Sequence, residues 1–115
     1  GFKVTTEDLS IVISGDTAFS DIIAEKARGV DILFHEVISR RGLEQNSPSF
    51  QRYHNSVHTT SDELARLAAI AQPKKLVLYH GLFYGTEESS VIEEIEALYN
   101  GNVFLANDLD IFTAD

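Results

Sequence analysis

Apolar residues gather along the chain in three short runs, each followed at once by polar or turn-forming residues. Leu9-Ser10-Ile11-Val12-Ile13 leads into Ser14-Gly15-Asp16-Thr17, Val30-Asp31-Ile32-Leu33-Phe34 into His35-Glu36, and Leu76-Val77-Leu78-Tyr79 into His80-Gly81. Runs this short and this rich in Val, Ile and Leu predict strands buried on both faces, the pattern of parallel strands covered by helices. Between the first two, Asp21 to Arg28 carries Ile22, Ile23 and Ala27 at helical spacing, with Gly29 as a C-terminal stop.

Further along, Thr60-Ser61-Asp62-Glu63 matches a capping box. The helix it opens places Leu64, Leu67, Ala68 and Ala71 on one side and stops at Gln72, before Pro73. A second helix follows the third strand, with Thr86 as its cap, an apolar stripe of Val91, Ile92, Ile95, Leu98 and Tyr99, and Gly101 closing it. Val103 to Ala106 and Leu109 to Phe112 read as two short final strands. Residues 37–57 lack clear periodicity and read as a long loop, carrying Arg40-Arg41-Gly42, Asn46-Ser47-Pro48 and the aromatics Phe50 and Tyr53. The order is strand, helix, strand, loop, helix, strand, helix and two strands, an α/β domain.

At 115 residues the chain is one domain with a single modest core. No apolar stretch approaches the roughly 20 residues that span a bilayer. The formal charge of −9 disfavours the domain alone as a binder of nucleic-acid backbone, which needs clustered Lys and Arg; Arg40-Arg41 and Lys74-Lys75 are too small to reverse it. The absence of cysteine excludes a disulfide framework, a thiolate zinc site and a cysteine nucleophile, so the compartment is not readable from redox chemistry. The chain has no methionine and opens on Gly1-Phe2-Lys3-Val4, which suggests a piece excised from a longer protein. Neither a Gly-x-Gly-x-x-Gly nor a Gly-Lys-Ser/Thr phosphate loop occurs.

Function in open α/β sheets gathers at the carboxyl ends of strands, so Asp16, Glu36 and His80 should share one edge. A divalent metal such as zinc takes imidazole nitrogen and carboxylate oxygen, and binuclear centres use a carboxylate to bridge two ions. Asp16 and His80 offer that chemistry as metal ligands. Glu36 with His58 would form an acid/base pair, the carboxylate orienting the imidazole for proton transfer. His35 and His54 read as structural or surface residues. Phe50, Tyr53, Phe83 and Tyr84 either line a substrate mouth or pack the loop down.

In order along the chain, these segments resemble the C-terminal half of the metallo-β-lactamase-fold hydrolases, in their ribonuclease Z and phosphodiesterase-like branch. Ser14-Gly15-Asp16-Thr17 is similar to the family's strand-end aspartate that bridges two metals, and Leu76-Val77-Leu78-Tyr79-His80 to the strand delivering its last metal-binding histidine. Phe34-His35-Glu36-Val37 resembles the His-Glu-Ala-Thr segment of ribonuclease Z, and His58-Thr59-Thr60 its His-Ser-Thr segment. The chain departs from that pattern at Val37-Ile38 and in a longer 37–57 segment. The family's His-x-His-x-Asp-His, which supplies most metal ligands, does not occur here.

The resemblance implies half of an αββα sandwich: a mixed sheet with helices mainly on one face, residues 1–115 forming one domain of a longer parent. It implies metal-dependent hydrolysis of an ester, most plausibly a small phosphodiester, by hydroxide held between two divalent ions: zinc first, manganese or iron as alternatives. The isolated chain would then be inactive and bind metal weakly or not at all, its partner being the missing N-terminal half. An uncovered apolar face would favour a homodimer. The rival reading is a non-catalytic α/β regulatory or interaction module in the manner of receiver domains. Receiver chemistry wants a lysine where this chain has His80.

Overall fold

The computed structural model describes residues 1–114. Five strands form one mixed sheet in chain order: β1 (Phe2–Thr5), β2 (Ser10–Ile13), β3 (Ile32–Ile38), β4 (Lys75–Leu82) and β5 (Val103–Leu105). β1 is the antiparallel edge, and β2 to β5 run parallel. Parallel neighbours need crossovers, and α1 (Asp21–Lys26), α4 (Ser61–Ala71) and α5 (Glu88–Glu96) lie on those connections. Two further helices, α2 (Arg40–Glu44) and α3 (Pro48–Val57), precede α4.

The register explains which residues become core. Val12, Leu33, Leu76 and Val103 are successive cross-strand partners, so they share one face of the sheet. That face packs against Ala24 and Ala27 near α1, against Leu64, Ala65, Leu67, Ala68 and Ala71 of α4, and against Val91 and Ile95 of α5. The stripe expected on α4 is therefore the buried one, and Glu63 accepts from the Thr60 N–H (3.0 Å) and hydroxyl (2.8 Å) at its start. Gln72 closes it in the left-handed conformation (φ 50°), just before Pro73.

The opposite face carries Ile13, Phe34, Val77 and Phe104 in register, with Phe2 beside Ile13. No helix covers it. Phe112 packs edge-on against Phe34 (centroids 6.0 Å apart) and lies 6.2 Å from Phe104, while Phe2, Val4 and Phe104 stay 73%, 47% and 41% exposed.

Several expectations are corrected. Residues 37–57 are not a loop: β3 runs on to Ile38, and two helices follow. The Ser39 hydroxyl accepts from the Gly42 N–H to open α2, and Ser47 caps α3 with Pro48 in its first turn. α3 fully buries no residue, although Phe50, Tyr53 and Val57 recur at helical spacing along it, with Phe50 and Val57 half-buried. Leu109 to Phe112 is not a strand, because Asn107 and Asp110 close a turn there: the Asn107 N–H donates to the Asp110 carboxylate at 2.8 Å, and Leu109 has φ 70°. β1 lies ahead of the three apolar runs and pairs back on β2 through a turn in which the Thr6 N–H donates to the Leu9 carbonyl and the Thr6 hydroxyl accepts from the Leu9 N–H. The cap of α5 is Glu87, not Thr86, whose hydroxyl donates to the Phe83 carbonyl at 2.6 Å. Ile22 is 70% exposed, Ala24 and Ala27 carrying the buried side of α1.

Candidate functional site

Asp16 stands in a turn whose other members are all tied down. Gly15 adopts φ 67°, a left-handed conformation that glycine takes without the penalty of a side chain. The Ser14 N–H donates to the Phe34 carbonyl (2.9 Å), and the Ser14 hydroxyl accepts from the Glu36 N–H (3.1 Å). The Gly15 N–H donates to the Tyr79 hydroxyl (2.9 Å) and the Thr17 N–H to Glu36 Oε1 (3.0 Å), while the Thr59 hydroxyl donates to the Thr17 carbonyl (2.7 Å).

His80 reaches the site through an irregularity in β4. Glu36 pairs with Tyr79, but Val37 pairs with Gly81, so His80 is an extra residue without a partner and has φ 49°. In a regular strand His80 would follow Leu76 and Leu78 beneath the helices. The bulge frees it from that alternation and turns its imidazole out to the strand ends.

There, His80 Nδ1 lies 3.3 Å from Asp16 Oδ1. Two ligands on a tetrahedral ion with bonds near 2.0–2.1 Å are separated by about 3.3–3.4 Å, so this pair already has the spacing of a shared ion. A ligand atom of His58 joins them, all three lying within 4.8 Å of one another. That bound is wider than the roughly 4.2 Å at which two atoms can oppose each other across one such ion. One carboxylate and two imidazoles are a donor set suited to zinc and its neighbours in the first transition row. Asp16 and His80 are half open to solvent, with side chains 60% and 48% exposed.

Behind this trio Glu36 is completely buried. Its Oε1 accepts from the backbone N–H groups of Thr17 and Thr59 and lies 3.2 Å from His58 Nδ1, whereas Oε2 has no hydrogen-bond partner among the described residues. Burial pushes the carboxyl up to about 7, the two backbone donors opposing it. Such a group holds a proton near neutrality, and it fixes the ring of His58 through one nitrogen and leaves the other free.

The remaining histidines differ from each other. His35 is fully buried, with Nδ1 at 2.7 Å from the Glu36 carbonyl and Nε2 without a partner, and burial pulls it down to about 4. It stays neutral and structural. His54 was read in the same way, yet it stacks on His58 (centroids 5.6 Å apart, planes 15° apart) and packs against Phe50 and Tyr84. The helical spacing of His54 and His58 (i, i+4) was the signal, obscured by reading 37–57 as a loop. Of the four aromatics, Phe50 and Tyr84 pack with His54, and Tyr53 is 61% exposed.

No protein-family model matches the chain. It is 30% identical over 107 residues to a ribonuclease Z of Bacillus cereus, an alignment covering 91% of this chain and 33% of that protein. Among solved structures, it superposes on the metallo-β-lactamase fold protein YhfI from Bacillus subtilis with a TM-score of 0.73 at 21% identity, over 91% of this chain and 40% of the other. The short form of human tRNase Z gives a TM-score of 0.65 at 20% identity, over 98% and 36%. The chain thus spans about a third of the length of the curated relative, and its mixed sheet with helices on one face is half of the metallo-β-lactamase sandwich.

Proposed function

From a chain that carries part of the metallo-β-lactamase fold, we propose the C-terminal portion of a metal-dependent phosphodiester hydrolase, with residues 1–115 as one domain of a longer protein. The observation that carries this reading is the convergence of Asp16 and His80 at 3.3 Å beside the buried Glu36 and its His58. Similarity to a ribonuclease Z supports phosphodiesters over other esters.

Asp16 and His80 would hold divalent metal, further ligands coming from the rest of the parent. When bound, the metal would polarise the ester and supply an activated water. His58 would hold or deliver a proton at its free ring nitrogen, near the leaving oxygen, while Glu36 orients the ring and takes up charge. Glu36 accomplishes this from a dry position, its carboxyl being poised at about 7. A second reading rests on the 4.8 Å grouping, in which His58 is itself a ligand.

In the full-length protein, Asp16→Ala and His80→Ala should each abolish turnover of a bis-aryl phosphodiester and lower metal content. His58→Ala should cut the rate by ~10²-fold or more with metal content preserved; loss of metal from that variant would favour the ligand role. Unchanged turnover in both Asp16→Ala and His80→Ala refutes the proposal.

A further inference from the structure

We propose that Tyr79 is a positioning residue that sets Asp16 against His80, an inference that rests on reading those two as a ligand pair. β4 contributes His80 directly, and the preceding residue reaches across β3 to the turn that carries Asp16, where its hydroxyl accepts from the Gly15 N–H at 2.9 Å. The other pins of that turn run elsewhere. Ser14 is tied to β3 through Phe34 and Glu36, and Thr17 to the Glu36 carboxylate and Thr59.

These ties fix Asp16 relative to β3, but β3 relates to His80 only across the bulge at Glu36/Val37. The Asp16 backbone has no hydrogen bond of its own among the described residues. Tyr79 therefore links the Asp16 turn to the strand of His80 by one hydrogen bond, from the residue next to His80. With Gly15 in a left-handed conformation, a small rotation there would swing the carboxylate away from the imidazole. Outer partners of this kind typically govern metal affinity by ~10–100-fold.

The test is Tyr79→Phe in the full-length parent protein, with Tyr99→Phe as a control for losing a tyrosine hydroxyl far from the site. In metal-free protein, amide exchange at Gly15 should quicken ~10-fold or more, and the nuclear Overhauser contact between the Asp16 β-protons and the His80 ring should weaken. Zinc affinity, from competition with a chromogenic chelator, should fall ~10–100-fold in Tyr79→Phe and stay within twofold in Tyr99→Phe. Retained Gly15 protection, a retained Asp16–His80 contact or zinc affinity within twofold of wild type would each overturn the inference. Should Tyr79→Phe fail to fold, difluorotyrosine placed at position 79 alone and read at about pH 5, where its more acidic phenol stays neutral, keeps the ring and weakens the acceptor; it should quicken exchange at Gly15 and weaken the Asp16–His80 contact, and no movement overturns the role. If wild-type protein shows no zinc-dependent shift at Asp16 or His80, the ligand reading fails, and the two metal-free measurements still decide the role of Tyr79.

Discussion

Replacing Glu36 with Gln should expose a pH dependence of stability that the wild-type protein conceals. Glu36 and His35 are neighbours on β3, both fully buried, and burial drives them in opposite directions: the carboxyl up to about 7, the imidazole down to about 4. For Glu36 the folded state binds its proton more tightly than the unfolded state. Its contribution is complete below the ordinary value of 4.5 and is lost as pH rises through about 7. His35 behaves oppositely, its contribution being complete above 6.5 and lost as pH falls towards about 4.

Each displacement is worth on the order of 3 kcal/mol across its window, and the windows overlap between pH 4.5 and 6.5, where the two slopes oppose each other; His54, also pulled down by burial, adds in the sense of His35. The carboxyls of Asp31 and Asp62 are held below their ordinary 3.8 and titrate beneath this range. Gln mimics the protonated acid, keeping an oxygen for the Thr17 and Thr59 N–H groups while removing the titration. Urea unfolding followed by circular dichroism should show a wild-type free energy that changes less from pH 4.5 to 6.5 than that of the variant. In Glu36→Gln it should climb by on the order of 3 kcal/mol from pH 4 to 6.5, and above pH 7 the variant should be the more stable protein by a similar amount. A variant profile as flat as the wild type's, or a variant less stable above pH 7, would refute the argument.

Other outcomes follow from the same structure. Calorimetric titration of zinc or manganese into the isolated chain should detect weak binding or none, because two or three ligands leave each ion's coordination open; one tight stoichiometric site would contradict this. Leu67→Ala, at a fully buried position of α4, should cost ~2–5 kcal/mol in urea unfolding, against a few tenths for the exposed Ala69→Ser. Light scattering should find self-association at high concentration, driven by the sheet face bearing Phe2, Val4 and Phe104, and Phe104→Lys should weaken it; a strict monomer at all concentrations would count against the open-face argument.

How far the site was legible depends on how each residue reaches it. Asp16 closely follows an apolar, half-buried strand, so its place at the sheet edge could be read from the run Ile11-Val12-Ile13 and the glycine before it. α4 was legible because its capping box and its apolar stripe agree, and both depend on local sequence alone. His80 was placed at a strand end by the same logic, yet β4 runs on to Leu82, and what frees the imidazole is a bulge that no local pattern signals. A bulge is a relation between two strands. α3 was harder to read: Phe50, Tyr53 and Val57 recur at helical spacing, but the rest of the segment is polar and no residue of the helix is fully buried, so its stripe is short and weakly apolar. Its polar caps, Ser47 and Pro48, were visible but read as loop. The consequence reached the site, since His58 caps α3, its N–H donating to the His54 carbonyl, and is brought against His54 only because the segment before it is helical. The buried carboxylate behind them, at the end of an apolar run, was the strongest local contradiction of hydrophobic patterning in the chain. Under the function proposed above this carboxyl orients His58, and the Glu36→Gln experiment therefore bears on that proposal as well as on folding.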